Sequence, residues 1–190
     1  MTQYDAFGIL WLVWLLSWIA AALWASKPAK RVAVTQSTIY RVLILVAAVL
    51  IFVPVRPARF GLLWLTPLPV GVALFVLAIA GMAFAWWARI HLGRLWSGTI
   101  TAKADHRIID TGPYALVRHP IYTGLLFALY VSALDHGTIF AVTGAVLATV
   151  GFVVKARLEE RFLRGELGPE AYDGYRARVP MLVPFWPMRG

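Results

Sequence analysis

The sequence predicts an all-α integral membrane protein with five transmembrane helices, its N-terminus outside and its C-terminus in the cytoplasm. Three observations carry that prediction. First, of 190 residues 61% are hydrophobic and only 14% charged, against roughly half and about a quarter in a soluble domain, and the mean hydropathy is +0.73. Second, the apolar residues fall into five runs of nearly spanning length, for which about 20 residues are needed. Third, if those five runs span, 16 of the 18 lysines and arginines fall on one side and only Arg56 and Arg59 on the other. The positive-inside rule makes the rich side cytoplasmic, and four or six spans would spoil the asymmetry.

The runs follow in order. The first covers Phe7 to Ala25 and is too long and too rich in tryptophan for a secretory leader. The second runs from Thr38 to Val55, stopped by Pro54 and Pro57, and the third from Pro69 to Ala88. A polar stretch follows from Arg89 to Arg118. The fourth run, Pro120 to Leu134, is short for a span. The fifth starts near Thr138, is apolar to Val154, then continues as a charged helix to the terminator Gly168-Pro169.

Composition also excludes functions. High hydrophobicity excludes disorder, and no GxGxxG marks a dinucleotide-binding domain. The chain has no cysteine, and its four histidines lack the spacing of a zinc helix, so no metal is expected. The net charge of +9 flanks apolar runs, where it reads as orientation signal and contact with anionic lipids rather than as a nucleic-acid surface. All four histidines and eight of the nine acidic residues lie from Arg89 onward. The chain therefore divides into an anchoring half, 1–88, and a catalytic half, 89–190.

Three elements of the second half could carry chemistry. In Thr111-Gly-Pro-Tyr-Ala-Leu-Val-Arg-His-Pro-Ile-Tyr-Thr-Gly124, Gly112-Pro113 is a turn and Pro120 suits the first position of a helix. Arg118 and His119 then stand at the mouth of the fourth span, either as an interfacial anchor and cap or as a place for an anion. In Lys155-Ala-Arg-Leu-Glu-Glu-Arg-Phe-Leu-Arg164, Lys155 with Glu159 and Glu160 with Arg164 have the i,i+4 spacing of helical ion pairs. They read as a solvated helix end, or as carboxylates for a ribose or ammonium group beside a cation for an anionic ligand. Tyr172-Asp-Gly-Tyr175 and the Pro-broken segment after it read as a surface tail or as a lid.

At these three elements the sequence resembles the isoprenylcysteine carboxyl methyltransferases and their prokaryotic relatives. The resemblance rests on Gly112-x-Tyr114-x-x-x-Arg118-His119-Pro120-x-Tyr122-x-Gly124, on Glu159-Glu160, on Gly168 and Tyr172-x-x-Tyr175, and on Val179-Pro180 with Pro184-Phe185. It implies an integral membrane methyltransferase that binds S-adenosyl-L-methionine, and releases S-adenosyl-L-homocysteine, without a nucleotide-binding sheet. Carried over by position, the cofactor pocket would comprise His106, Ile108, Ile109, Tyr114, His119, Pro120, Tyr122 and Glu159. A cation just before the Glu pair would meet the substrate carboxylate. Lys155 has the helical offset for it and Arg157 the residue type, while Glu160 or His119 would be the base if the acceptor were an amine. The expected acceptor is a lipophilic small molecule or lipid, foremost an isoprenoid or prenylcysteine-like carboxylate, at the cytoplasmic face of the membrane. Rival readings are a phospholipid-amine methyltransferase, an NADPH-dependent sterol-type reductase, and a membrane protein that keeps the fold without activity.

Overall fold

A computed structural model describes residues 3–23, 30–31, 34–52, 61–97, 101–102 and 108–186. Helices dominate: α1 (Gln3–Ala22), α2 (Val34–Phe52), α3 (Leu68–Leu92), the single turn α4 (Pro113–Leu116), α5 (Pro120–His136), α6 (Ile139–Leu167) and α7 (Pro169–Arg178). A two-residue antiparallel ladder joins Lys30–Arg31 to Thr101–Ala102. The five long helices match the five apolar runs. Three of them, at Asp5–Ala22, Leu68–Leu92 and Ile139–Leu167, are long and apolar enough to cross a membrane, and the apolar part of α2, Ser37–Phe52, is shorter. Helix α5 has 17 residues, about 25 Å of rise, and ends on Asp135 and His136.

The packing is that of a membrane bundle, with small residues inside and large apolar ones outside. Helix α6 buries Ala141, Gly144, Ala145, Ala148, Gly151 and Ala156, a small-residue stripe that lets α2 approach closely. A Cβ on Gly144 would sit 2.8 Å from the Ala47 carbonyl oxygen, and one on Gly151 would sit 2.9 Å from Ile44 Cγ1. Helices α3 and α5 cross in the same way, where a Cβ on Gly81 would lie 2.8 Å from the Gly124 carbonyl oxygen. Leu12, Leu45 and Val76 are meanwhile 55%, 65% and 58% exposed. Such a surface is stable against lipid and not against water.

Local chemistry sets the boundaries. Thr138 caps α6 by accepting from the Ala141 amide at 3.1 Å. Pro120 opens α5, and His119 before it is held outside the helical region at φ −124°, ψ 63°. Gly112 takes φ +57° while the His91 ring packs where its Cβ would be, so the turn into α4 is fixed against the end of α3. The charged extension of α6 runs to Leu167, and Gly168 at φ +91° reverses the chain into α7.

The helix crossing gives a direct test. Gly124→Val should destabilise the detergent-solubilised protein by at least about 2 kcal/mol, because the backbone it meets cannot relax cheaply. Gly8→Ala, with nothing within 4 Å, should be neutral or raise stability by up to ~1 kcal/mol. Thermal melts read both.

Candidate active site

One face of α6 builds the floor of a cavity of ≈ 210 Å³. Phe152, Lys155, Glu159, Leu163 and Leu167 line it, at helical spacings of three and four that put them in a single row. From first to last the row covers about 22 Å. Helix α5 and the turn before it supply His119, Pro120, Tyr122 and Leu125. The segments after α3 add Trp96, Ile108, Ile109 and Tyr114, α7 closes the space with Tyr172 and Tyr175, and α1 reaches it with Trp18.

A buried ion pair holds these pieces together. Arg118 Nε donates to Glu160 Oε1 at 2.7 Å, with both side chains less than a tenth exposed. The same guanidinium donates through Nη1 to the carbonyl oxygens of Val179 and Arg176 at the end of α7, which no helical amide serves. The tail then crosses the start of α5. The Arg118 and His119 amides donate to the Pro180 and Met181 oxygens at 2.8 and 3.1 Å, and Thr123 Oγ1 donates to Leu182 O at 2.6 Å. Tyr175 Oη donates to Tyr114 O at 2.8 Å.

Inside this frame lies a second set of polar contacts. His119 Nε2 donates to Glu160 Oε1 at 3.1 Å, a carboxylate being acceptor only, and its Nδ1 stands 3.8 Å from Glu159 Oε2. The imidazole is stacked flat on Tyr122, centroids 5.2 Å apart and planes within 4°. Tyr122 Oη donates to Glu159 Oε2 at 2.6 Å. The Lys155 ammonium lies 5.0 Å from the Tyr122 centroid, within cation–π range, and has no ion-pair partner among the described residues. Burial pushes the Tyr114, Tyr172 and Tyr175 phenols up from their ordinary value, the Glu159 charge adding to the shift at Tyr114, so all three stay neutral.

Of the residues singled out in the sequence, Ile108, Ile109, Tyr114, His119, Pro120, Tyr122, Lys155 and Glu159 line the cavity together; His106 lies outside the described residues. Arg157 is exposed and does not line it. Two residues along a helix from Lys155, it is turned about 200° away. Glu160 sits behind the wall, committed to Arg118 and His119. The expected Glu160–Arg164 pair is not formed: Arg164 makes a forked ion pair with Asp173 of α7 at 2.8 and 3.0 Å. Arg118 also lines the cavity, with its Nε and Nη1 engaged by Glu160 and by the carbonyl oxygens of Arg176 and Val179. Sequence reasoning did not find Trp18 and Trp96 in the wall; neither stands in a motif, and only the tertiary fold brings α1 to this place.

The ion pair is testable. Arg118→Ala strands a buried carboxylate and should cost about 3–5 kcal/mol, with earlier proteolytic cleavage in residues 168–183. Arg118→Lys keeps the charge but not the forked donors and should recover less than half of that loss. Thermal melts and limited proteolysis check both.

The comparisons with known proteins bear on the same region. The sequence model of the isoprenylcysteine carboxyl methyltransferase family matches residues 72–165, from α3 to the charged end of α6. The chain is 29% identical over 129 residues to the cobalt-zinc-cadmium resistance protein CzcN of Cupriavidus metallidurans, covering 67% of this chain and 54% of that one. It is 42% identical over 71 residues to a methanethiol S-methyltransferase of a Pseudomonas species, covering 37% and 26%. With the protein-S-isoprenylcysteine O-methyltransferase of Schizosaccharomyces pombe it shares 29% over 103 residues, covering 53% and 43%. The chain thus aligns with about half or less of each relative's length. Carrying the family's sequence from α3 through α5 and most of α6, which supply most of the cavity lining, the chain belongs to the isoprenylcysteine carboxyl methyltransferase family.

Proposed function

We propose that this protein is an integral membrane enzyme that methylates a lipophilic anion, foremost a carboxylate of isoprenoid type, with S-adenosylmethionine as donor. The observation that carries the reading is the row on α6, which puts the Glu159 carboxylate and the Lys155 ammonium, without an ion-pair partner among the described residues, a single turn apart inside a largely apolar cavity. The proposed topology is five spans with the cavity at the cytoplasmic end, residues 1–88 acting mainly as scaffold and 89–190 as the catalytic part. The positive-inside asymmetry supports that orientation.

The residues present fit the cofactor. Glu159 has one oxygen held by Tyr122 and a second with no protein donor among the described residues, suited to a ribose diol or an ammonium group. Trp96, Ile108, Ile109, Tyr114, Pro120 and Tyr122 line the cavity with apolar and ring surfaces that suit a purine. Tyr172 and Tyr175 exclude water above it. When bound, S-adenosylmethionine supplies a sulfonium methyl group, which a carboxylate oxygen takes with its own lone pair as the carbon–sulfur bond breaks.

An ionised acceptor needs placement and dryness rather than a base. Lys155 provides the placement, as the ammonium that meets the anion, while Tyr122 holds that ammonium beside Glu159. Arg157 is left with a surface role and Glu160 with a positioning role through His119 and Arg118. An amine acceptor, as in phospholipid methylation, would bring a second cation next to Lys155 and would need a base, whereas Glu160 does not line the cavity and its Oε1 already accepts from Arg118 and His119. A thiolate is the second reading. It suits Lys155 equally well, and 42% identity to a protein named methanethiol S-methyltransferase favours it.

The two cations separate the roles. Lys155→Met should lower kcat/KM for a membrane-partitioning carboxylic acid by about ten- to a hundredfold, the worth of one charge-assisted contact. Arg157→Ala should stay within about twofold, as for a surface change. Transfer of a labelled methyl group measures both, and equal losses in the two variants would contradict the assignment.

A further inference from the structure

The cavity has two ends of unequal depth. Counted from Lys155 towards Leu167, the row on α6 extends twelve residues, about 18 Å; counted the other way it reaches only Phe152, about one helical turn. Helix α5 shows the same limit, since Tyr122 is followed in the lining only by Leu125. The inner end therefore offers little space beyond the ammonium.

Trp18 lines the cavity with Leu92, Leu125 and Phe152. Helix α1 runs opposite to α5, Phe7 meeting His136 and Trp11 donating to Ser132, so Trp18, seven residues past Trp11, lies level with Leu125 at the inner end. Its indole is wedged among three others. It stacks on Trp14 with centroids 4.6 Å apart and planes at 24°, and meets Trp86 edge-on at 5.3 Å and Trp96 at 5.5 Å and 90°. Three such contacts fix the ring far better than one apolar neighbour would. Arg89, fully buried, braces the same corner: its guanidinium lies 4.2 Å from the Trp96 centroid, and Nη2 donates to the Ala21 oxygen at 2.8 Å, near the end of α1. The wall thus comes from α1, outside the residues 72–165 that match the family.

Resting on the proposed methyl transfer, we infer that Trp18 is a specificity-determining residue, the end wall that narrows the acceptor to an anionic head with a short apolar tail, no longer than one five-carbon isoprene unit. One helical turn of depth accommodates about four to five carbons beyond the group held by Lys155. An acceptor with a long tail needs this wall removed. Helix α1 is then part of the site as well as an anchor, and it sets tail length independently of the motif that holds the cofactor.

The test uses the full-length protein in detergent and a series of alkylthioacetic acids with ethyl, butyl, octyl and dodecyl tails. Binding of each acid with S-adenosylhomocysteine present, and methyl transfer to each, are measured for the wild type, Trp18→Ala and Trp18→Phe. The wild type should prefer butyl to dodecyl by at least about tenfold in both readouts, Trp18→Ala should reverse or abolish that preference, and Trp18→Phe should retain most of it. All three proteins should still bind S-adenosylhomocysteine, which shows that each is folded, and the tail preference is read as a ratio within each protein. A wild type that takes dodecyl as readily as butyl, its tail leaving sideways into lipid, would overturn the inference, as would an unchanged profile in Trp18→Ala. Absence of S-adenosylhomocysteine binding in the wild type would instead overturn the underlying methyltransferase reading.

Discussion

The contact between Arg118 and Glu160 governs the rest of the site. It is formed at the one place where the start of α5, the charged end of α6 and the last turn of α7 converge, and each brings a polar group that lipid could not satisfy. A hydrophobic pair of the same volume would fill the space but leave the Arg176 and Val179 carbonyls and the His119 imidazole without partners. Unpaired polar groups of that kind are expensive in a low-dielectric interior. One planar guanidinium serves a carboxylate and two carbonyls together, which a lysine could not do. The tail crosses α5 because this knot holds it there.

From that constraint the cavity follows. With Glu160 turned into the knot, its neighbours on α6 are set by helical geometry, so Glu159 and Lys155 face the opening and Arg157 faces away. The stacked His119–Tyr122 pair transmits the same order to α5, since one ring touches Glu160 and the other Glu159. The polar lip of the cavity is then a narrow band. The long outer compartment lies under the tyrosines of α7, and the short inner one ends at Trp18 of α1.

Much of this was legible in the sequence, and the parts that were not share a cause. Helix positions followed from apolar run length, from Pro120 at the start of α5 and from Gly168-Pro169 at the end of α6. The cavity lining in the second half followed from a resemblance resting on spaced motifs. The sequence does not decide between Lys155, with the helical offset, and Arg157, with the residue type; the helix face does. Arg118 read as an anchor or an anion holder because nothing local reveals that a carboxylate 42 residues away will meet it. Arg164 read as a partner of Glu160 because i,i+4 spacing is a local rule, and tertiary packing supplied Asp173 instead. Trp18 was one tryptophan among several in an apolar run; its place in the wall depends on how α1 docks, which no periodicity encodes.

The central claim is that the α6 row, organised by the Arg118–Glu160 knot, forms a cofactor pocket with Glu159 as its polar anchor. Calorimetric titration of the purified protein with S-adenosylhomocysteine tests it most directly, with Glu159→Ala as the variant and NADPH as the alternative ligand. The account predicts micromolar binding by the wild type, lost in Glu159→Ala, and no binding of NADPH. Wild-type affinity retained in Glu159→Ala, or NADPH bound in place of S-adenosylhomocysteine, would contradict it.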